Sequence, residues 1–395
     1  MAAALLLARD GHRVMVFERF DEPRPLGSGL MLQPTGLAVL DQLGLATAAI
    51  AAGQRIDRLC GKAGNRTVLD VRYSSMRGRL FGVGIHRSAL FSLLHDALKS
   101  DGAAIATGRE VTGVERRSDG IRLLFALGSA EGPFDLAVDA LGTRSALSPD
   151  VGRELRYGAL WTNVNLPRDE FDRHMLSQRY RRASVMAGVL PIGGEQAGFF
   201  WSLRAKDHAT WLATGLESWK SDVRSLWPAT SPLLDQIGSH DDLTFARYAH
   251  KTIHRPAGDR LIHIGDSWHS ASPQLGQGAN MALLDAFRAR ESASGGRQRR
   301  RRPCGSGEHA PLARSPLPAA DRASDAGLSI RQPHHPARTR LADGPRLENL
   351  ADDELPGGAG VRTRGLAAAP ARNRFCTAAN GKLRRGPNAA RRPAT

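Results

Sequence analysis

The chain has 395 residues and a formal net charge of +16, from 55 Lys and Arg against 39 Asp and Glu. This length suffices for two domains with a large apolar core. Three scattered cysteines exclude a disulfide framework and a zinc site, and no apolar run is long enough to cross a bilayer. The composition therefore predicts a cytoplasmic protein without a membrane span.

The positive charge is concentrated at the carboxyl end. Residues 291–395 hold 20 Lys and Arg against 9 Asp and Glu, a net charge of +11, so residues 1–290 carry only +5. The same segment contains one Phe, one Ile and one Val, and no Trp, Tyr or Met. Such a segment buries too little apolar surface to offset its conformational entropy. We expect residues 291–395 to be a disordered, low-complexity basic tail.

The first elements follow a dinucleotide-binding pattern. Residues 1–10 predict a helix that Gly11 ends, and Arg13–Phe17 predicts a buried strand that delivers Glu18 to its end. An acidic residue at this position accepts hydrogen bonds from the ribose of an adenosine group. Arg19 beside it either stacks on the adenine or is solvated. A strand and a glycine-rich turn that would normally precede this helix are absent from the sequence.

The following segments predict an α/β chain. Helices are expected at Pro34–Leu45 and at His86–Ser100, where Leu90, Leu94 and Leu98 form one stripe and Arg87 stands at the start. A hairpin is expected at Arg109–Leu127, and a buried parallel strand at Phe134–Gly142. Two further strands flank Gly193–Gly194. Five tryptophans in this region fit either an apolar substrate wall or an ordinary aromatic core: Trp161, Trp201, Trp211, Trp219 and Trp227.

The most specific pattern is "GDSWHSASPQLGQGAN", Gly265–Asn280. A buried strand ends at Gly265 and Asp266, at the sheet edge where open α/β sheets bind ligands. Pro273 fixes a turn, and Gly276 and Gly278 let the backbone approach a flat ligand closely. A helix that begins near Gln277, Gly278, Ala279 and Asn280 directs free N–H groups at an anion or an electron-rich ring. Met281, Leu284 and Phe287 are expected to face the core.

This stretch resembles the second flavin motif of the class A FAD-dependent monooxygenases, the para-hydroxybenzoate hydroxylase group. "VFER" at Val16–Arg19 and "HRSALFSLL" at His86–Leu94 resemble further motifs of that family, and the resemblance extends from Met1 to about Phe287. It implies that Glu18 and Arg19 contact the adenosine of FAD, and that Arg87 and Asp266 contact its ribityl and pyrophosphate groups. It also implies that Pro273 and the Gly276–Asn280 backbone line the isoalloxazine ring.

The resemblance implies a Rossmann-like FAD-binding domain of the glutathione-reductase type and a mixed-sheet substrate domain. The first would comprise residues 1–57, 83–150 and 249–290, and the second residues 58–82 and 151–248. The sequence departs from the family where an Asp-Gly motif is expected, because Leu141-Gly142 occupies that position and Asp139 lies two residues earlier. Whether Asp139 substitutes for the motif, and whether a nicotinamide coenzyme binds, stays open at this point.

The implied activity is hydroxylation of an aromatic or apolar small molecule with FAD, NAD(P)H and O₂, through a flavin C4a-hydroperoxide. The cofactor carries the chemistry, so we assign no catalytic side chain, and the histidine spacing matches no metal site. Without the glycine-rich loop we expect weak FAD retention. The alternative function is nucleic-acid binding through the tail, which its lack of aromatic side chains disfavours. The abrupt compositional change near residue 288 favours an out-of-frame tail.

Overall fold

The computed structural model describes residues 1–23, 27–149, 152–182, 185–272, 276–300 and 374–379. For residues 294–300 and 374–379 it describes the backbone only. Within these ranges, no helix combines the length and apolar character that crossing a membrane requires. The predicted Pro273 and most of the basic tail lie outside the described residues.

The described chain is an α/β protein. Its helices are α1 (Ala2–Arg9), α2 (Pro34–Gln42), α3 (Ala46–Ala52), α4 (Arg87–Ser100), α5 (His208–Thr214), α6 (Leu216–Leu226), α7 (Ser231–Leu234) and α8 (Gly278–Arg300). The first ten strands are β1 (Arg13–Glu18), β2 (Gly29–Leu32), β3 (Gln54–Ile56), β4 (Arg58–Ala63), β5 (Arg66–Arg72), β6 (Gly82–His86), β7 (Ala104–Ala106), β8 (Val111–Arg117), β9 (Gly120–Phe125) and β10 (Ala130–Phe134). The others are β11 (Leu136–Ala140), β12 (Arg153–Asn165), β13 (Met175–Tyr180), β14 (Met186–Gly193), β15 (Gln196–Arg204), β16 (Thr244–Thr252), β17 (Ala257–Gly258), β18 (Leu261–His263), β19 (His269–Ser270) and β20 (Arg374–Ala379).

A six-stranded sheet forms the first layer, in the order β17-β18-β11-β20-β1-β7. All neighbouring strands are parallel except β17 and β18. Helix α1 contacts both β1 and β20, and its Ala3–Leu7 segment is buried. The sequence predicts this sheet without its central strand, whereas the structure places the late strand β20 in the centre.

An eight-stranded mixed sheet forms the second layer, in the order β19-β16-β12-β15-β14-β13-β4-β5. It takes its strands from residues 58–72, 153–204, 244–252 and 269–270. A small antiparallel sheet, β2-β6-β3, contacts it through β6 and β14. The approach is close, since a Cβ added to Gly84 would lie 2.0 Å from the carbonyl oxygen of Pro191.

Elements with a clear local pattern form as predicted. Helix α1 ends at Arg9, and Gly11 has φ +80° after it, a conformation that glycine adopts without a steric penalty. Helix α4 buries the predicted stripe of Leu90, Leu94 and Leu98. The predicted hairpin forms between β8 and β9. Glu18 lies at the end of β1 and Arg87 at the start of α4, as predicted.

Two segments within residues 291–395 have regular secondary structure. Helix α8 continues to Arg300, with Ala289 buried and Arg290 forming two 2.9 Å hydrogen bonds to Asp10. Residues Arg374–Ala379 form β20. Helix-favouring residues after Phe287 extend α8. Strand β20 forms backbone hydrogen bonds with a neighbouring strand on each side. The apolar content of the segment reflects neither helix propensity nor hydrogen bonding between strands, so it predicts neither element.

The structure also decides the orientation of α8 and the role of the tryptophans, which the sequence leaves open between core and substrate wall. On α8, Leu283, Ala286 and Ala289 are buried, one residue displaced from the predicted stripe. Leu284 and Phe287 are partly buried and pack against the same core cluster, as predicted, and Met281 is half-buried. The buried Asn280 lies on the same side and sets this rotation. Four of the five tryptophans lie in one buried cluster with Phe199 and Val223, so they form core and not substrate wall: Trp201, Trp211, Trp219 and Trp227.

Candidate cofactor site

The carboxyl edge of the parallel sheet carries Glu18 and the turn that contains Asp266. Glu18 at the end of β1 is in register with Ala379, which is also in register with Ala140 at the end of β11. Beyond β11, Asp139 is in register with His263, the last residue of β18. The turn that carries Gly265 and Asp266 follows directly. The motifs from the start and the end of the region are therefore at one edge, although about 250 residues separate them.

The turn Gly265–Ser267 follows β18 as a short 3-10 segment. Gly265 has φ +59°, and its N–H donates to Asp285 Oδ2 at 2.8 Å. Ser267 Oγ donates to the carbonyl oxygen of Asp139 at 2.7 Å. These bonds fix the turn from both sides and leave the side chain of Asp266 exposed at the edge.

Asp139 is fully buried and accepts three hydrogen bonds. Its Oδ1 accepts from the N–H of Leu141 at 2.9 Å, and its Oδ2 accepts from Ser145 Oγ at 2.6 Å. His263 Nδ1 lies 2.7 Å from the same Oδ2. A carboxylate occupied in this way organises the chain around Leu141-Gly142 from the inside. Asp139 is therefore a buried residue that holds this turn.

The segment Gly276–Asn280 leads into α8. Gly276 has φ +61°, and a Cβ added there would lie 2.9 Å from Cβ of Met31, so only glycine fits without a shift. Asn280 is buried, and its Nδ2 donates to the carbonyl oxygens of Met31 and Gly276 at 2.9 and 2.8 Å. Its Oδ1 accepts from the N–H of Gln33 at 2.8 Å. The side chain therefore bonds this loop to β2 and to Gln33, the residue before α2.

Arg87 is the first residue of α4 and lies near Asp266. A Cβ added to Gly27, which has φ +111°, would lie 3.1 Å from Arg87 Nε. The residue is solvent-accessible, yet the surrounding protein desolvates its guanidinium and lowers its pKa, an effect that the nearby carboxylate of Asp266 opposes. An accessible, partly desolvated cation beside a glycine is suited to bind a phosphate group.

Glu18 and Arg19 form the other end of the site. Burial raises the pKa of Glu18, partly offset by the N–H of Phe20, which donates to Oε1 at 3.1 Å. The guanidinium of Arg19 lies 4.6 Å from the ring centroid of Phe20 and lines a cavity of about 230 Å³ with Arg109 and Phe125. The buried Nε of Arg19 has no hydrogen-bond partner among the described residues. Both side chains are thus placed where an adenosine group could satisfy them.

Residues that the sequence analysis did not single out support the site from behind. Asp285 is buried, and its Oδ2 contacts the N–H of Gly265 and His269 Nε2, the latter at 2.6 Å. Its signal in the sequence is an acidic residue inside the apolar run Met281–Phe287. Within the described ranges, no group of three or more His, Cys, Asp or Glu side chains could hold a metal ion.

Comparison with known proteins identifies the family of the chain. Residues 1–291 match the family described as FAD binding domain. A FAD-dependent urate hydroxylase from Klebsiella oxytoca is 28% identical over 308 residues, 72% of this chain and 76% of that protein. A 3-amino-4-hydroxybenzoate 2-monooxygenase from Streptomyces cremeus is 27% identical over 304 residues, covering 72% of this chain and 73% of that protein.

Solved structures give the same fold. PqsL from Pseudomonas aeruginosa, in complex with 2-aminobenzoylacetate, superposes with a TM-score of 0.67 at 19% identity, over 75% of this chain and 83% of that one. The tetrameric 2-methyl-3-hydroxypyridine-5-carboxylic acid oxygenase superposes with a TM-score of 0.64 at 20% identity, over 74% and 78%. Since the family match spans most of the chain, the protein belongs to the FAD binding domain family and is a class A FAD-dependent monooxygenase.

Proposed function

We propose that this protein hydroxylates a small aromatic or heteroaromatic compound with FAD, NAD(P)H and O₂. The observation that carries the proposal is that Arg87 lies near Asp266, while Asn280 bonds the Gly276–Asn280 loop to β2, which pairs with the strand that precedes Arg87. When bound, FAD would accept electrons from NAD(P)H and activate O₂ for transfer of one oxygen atom to the ring. The protein's own tasks are to bind, to orient and to exclude water.

Each part of FAD has a proposed set of residues. Glu18 would accept hydrogen bonds from the ribose of adenosine, and Arg19 would stack on the adenine or pair with a phosphate. Arg87 and Asp266 would bind the pyrophosphate and ribityl groups. The backbone of Gly276, Gln277, Gly278, Ala279 and Asn280 would line the isoalloxazine ring, as would Pro273, which lies outside the described residues. Backbone N–H groups at the start of α8 would stabilise negative charge on the ring.

The substrate side of the loop is aromatic. Met31, which contacts Gly276, belongs to a buried cluster that includes Tyr73 and Phe200, with Trp161 packed against it. The rings of Trp161 and Phe200 stack at 4.7 Å, and Trp161 Nε1 donates to the Tyr248 hydroxyl at 3.2 Å. Burial raises the pKa of Tyr248 to about 12, so this hydroxyl keeps its proton at neutral pH. The partly buried Trp161 at the border of this core cluster would suit contact with a flat, apolar substrate.

A second cavity supports the use of a phosphate-bearing coenzyme. About 270 Å³ in volume, it is lined by Thr143, Arg144, Ser145, Ser148 and Lys251, next to the turn that Asp139 organises. The ammonium of Lys251 donates to the carbonyl oxygen of Thr143 at 3.2 Å and contacts Ser148 Oγ. Hydroxyl and cationic groups in this arrangement fit a phosphate of NAD(P)H.

A test begins with reconstitution of the full chain with FAD, followed by titration of NADH or NADPH in the presence of a panel of aromatic and heteroaromatic acids. We expect substrate-stimulated coenzyme oxidation and a product that carries one ¹⁸O atom from ¹⁸O₂. Asp266→Ala should raise the FAD dissociation constant about tenfold, the effect of one lost charge-assisted contact, while the exposed position leaves folding unchanged. The matched control is Asp222→Ala, in helix α6. If no panel member stimulates oxidation or acquires ¹⁸O, hydroxylation of aromatic compounds is refuted.

A further inference from the structure

The central strand of the FAD-binding sheet comes from the far end of the chain. Strand β20 pairs in parallel with β1 over six residues, from Arg13 opposite Arg374 to Glu18 opposite Ala379. On its other side it pairs in parallel with β11, from Leu136 opposite Phe375 to Ala140 opposite Ala379. No other described strand links β1 to β11. Continuity of the sheet therefore depends on β20.

Water cannot take the place of β20 as hydrogen-bond partner of β1 and β11. Strand β1 has β7 as its other neighbour, and β11 has β18. Val16 and Phe17 on β1 are buried, as are Ala137 and Val138 on β11. A strand edge in such surroundings that lost its partner would leave buried N–H and C=O groups unpaired, which is costly. Both edges require an inserted strand of parallel direction.

Strand β20 also sets the spacing of the two halves of the cofactor site. Glu18 lies at the end of β1, while Asp139 on β11 holds the turn that bears Asp266 through Ser267. Two inter-strand steps separate β1 from β11, roughly 10 Å at the usual strand spacing. Without β20, the adenosine-side and flavin-side residues would have no fixed separation.

We propose that Arg374–Ala379 is an integral part of the FAD-binding domain, and that this tail segment of the same chain completes the sheet on which cofactor binding depends. The dependence of FAD affinity rests on the proposed function, whereas the pairing of the strand does not. The two parts are separated by measuring backbone protection and FAD binding on the same variants.

The test is a proline substitution in the full-length chain. Thr377→Pro removes a backbone N–H in the middle of β20 and is incompatible with a central strand. Thr363→Pro makes the same chemical change elsewhere in the tail and is the matched control. Thr377→Val keeps a strand-favouring residue at the tested position.

Amide hydrogen exchange of Arg13–Glu18 and Leu136–Ala140, followed by mass spectrometry, reports the pairing. We expect exchange about tenfold faster or more in T377P, with a comparable rise in the FAD dissociation constant, and wild-type behaviour in T363P and T377V. A T377P chain that fails to fold while T363P folds normally also supports the proposal.

Equal exchange in T377P and T363P overturns it, whatever the FAD affinity. Faster exchange in T377P, combined with no FAD binding by the wild-type chain, would retain the strand and refute the proposed cofactor function.

Discussion

Asn280 connects three segments of the candidate site, and its removal should be costly. The side chain is 0% exposed and makes hydrogen bonds to the N–H of Gln33 and to the carbonyl oxygens of Met31 and Gly276. Asn280→Ala would leave these three backbone groups without their partner. At about 1 kcal/mol for each hydrogen bond, the free energy of unfolding should fall by about 3 kcal/mol.

The packing around Asn280 adds a sharper consequence. A Cβ added to Gly36 would lie 2.2 Å from Asn280 Oδ1, so Gly36→Ala should cost about 1–3 kcal/mol in the wild-type background. In the N280A background the obstructing oxygen is gone, and alanine is favoured over glycine in a helix by about 0.5–1 kcal/mol. The same substitution should then be neutral or stabilising.

Urea unfolding of the FAD-free protein, followed by circular dichroism, gives the four free energies of this double-mutant cycle. We expect a coupling energy of about 2 kcal/mol between positions 36 and 280. Asn163→Ala, at an exposed asparagine, is the matched control and should cost less than about 0.5 kcal/mol. Additive effects of G36A and N280A, or a cost of N280A no larger than that of N163A, would refute the assigned contacts.

Three further predictions follow from buried or strained positions. Asp139→Asn should reduce the free energy of unfolding by about 2–4 kcal/mol, because an amide N–H₂ would face donors that the carboxylate accepts, and a wild-type urea midpoint would contradict this. Glu18→Gln should stabilise the FAD-free protein at pH 7 but not near pH 4. Burial raises the pKa of Glu18 in the folded state, so the protonated side chain stabilises the fold below its unfolded pKa, and this stability is lost as the pH rises through the folded pKa. Urea midpoints of wild type and E18Q at both pH values test this prediction. Gly276→Ala should destabilise by about 2 kcal/mol, and by more than Gly44→Ala, because both have positive φ but only the Cβ at 276 meets a neighbour; equal thermal shifts would exclude the contact with Met31.

The sequence by itself determined the elements whose information is local. Leucines at helical spacing predict α4 and the side that it buries, and Gly11 predicts the end of α1. The spacing of Gly265, Asp266, Gly276 and Asn280 indicates the cofactor loop, because a strand end, two flexible turns and a helix start must follow one another closely in the chain. Such patterns depend on neighbouring residues only, so they can be read without knowing the fold.

Only the tertiary structure decided which residues meet across long distances in sequence. The sequence leaves Asp139 as an open substitute for a missing motif, whereas contacts with Ser145 and His263 bury it. The buried stripe of α8 lies one residue away from the stripe that the sequence predicts, because the hydrogen bonds of Asn280 to Met31 and Gln33 fix the rotation of that helix. The sequence also treats the tail as disordered, yet β20 gains a backbone partner on each side. Hydrogen-bond and packing partners far apart in the chain leave no local period, and their contribution exists only once the sheet has assembled.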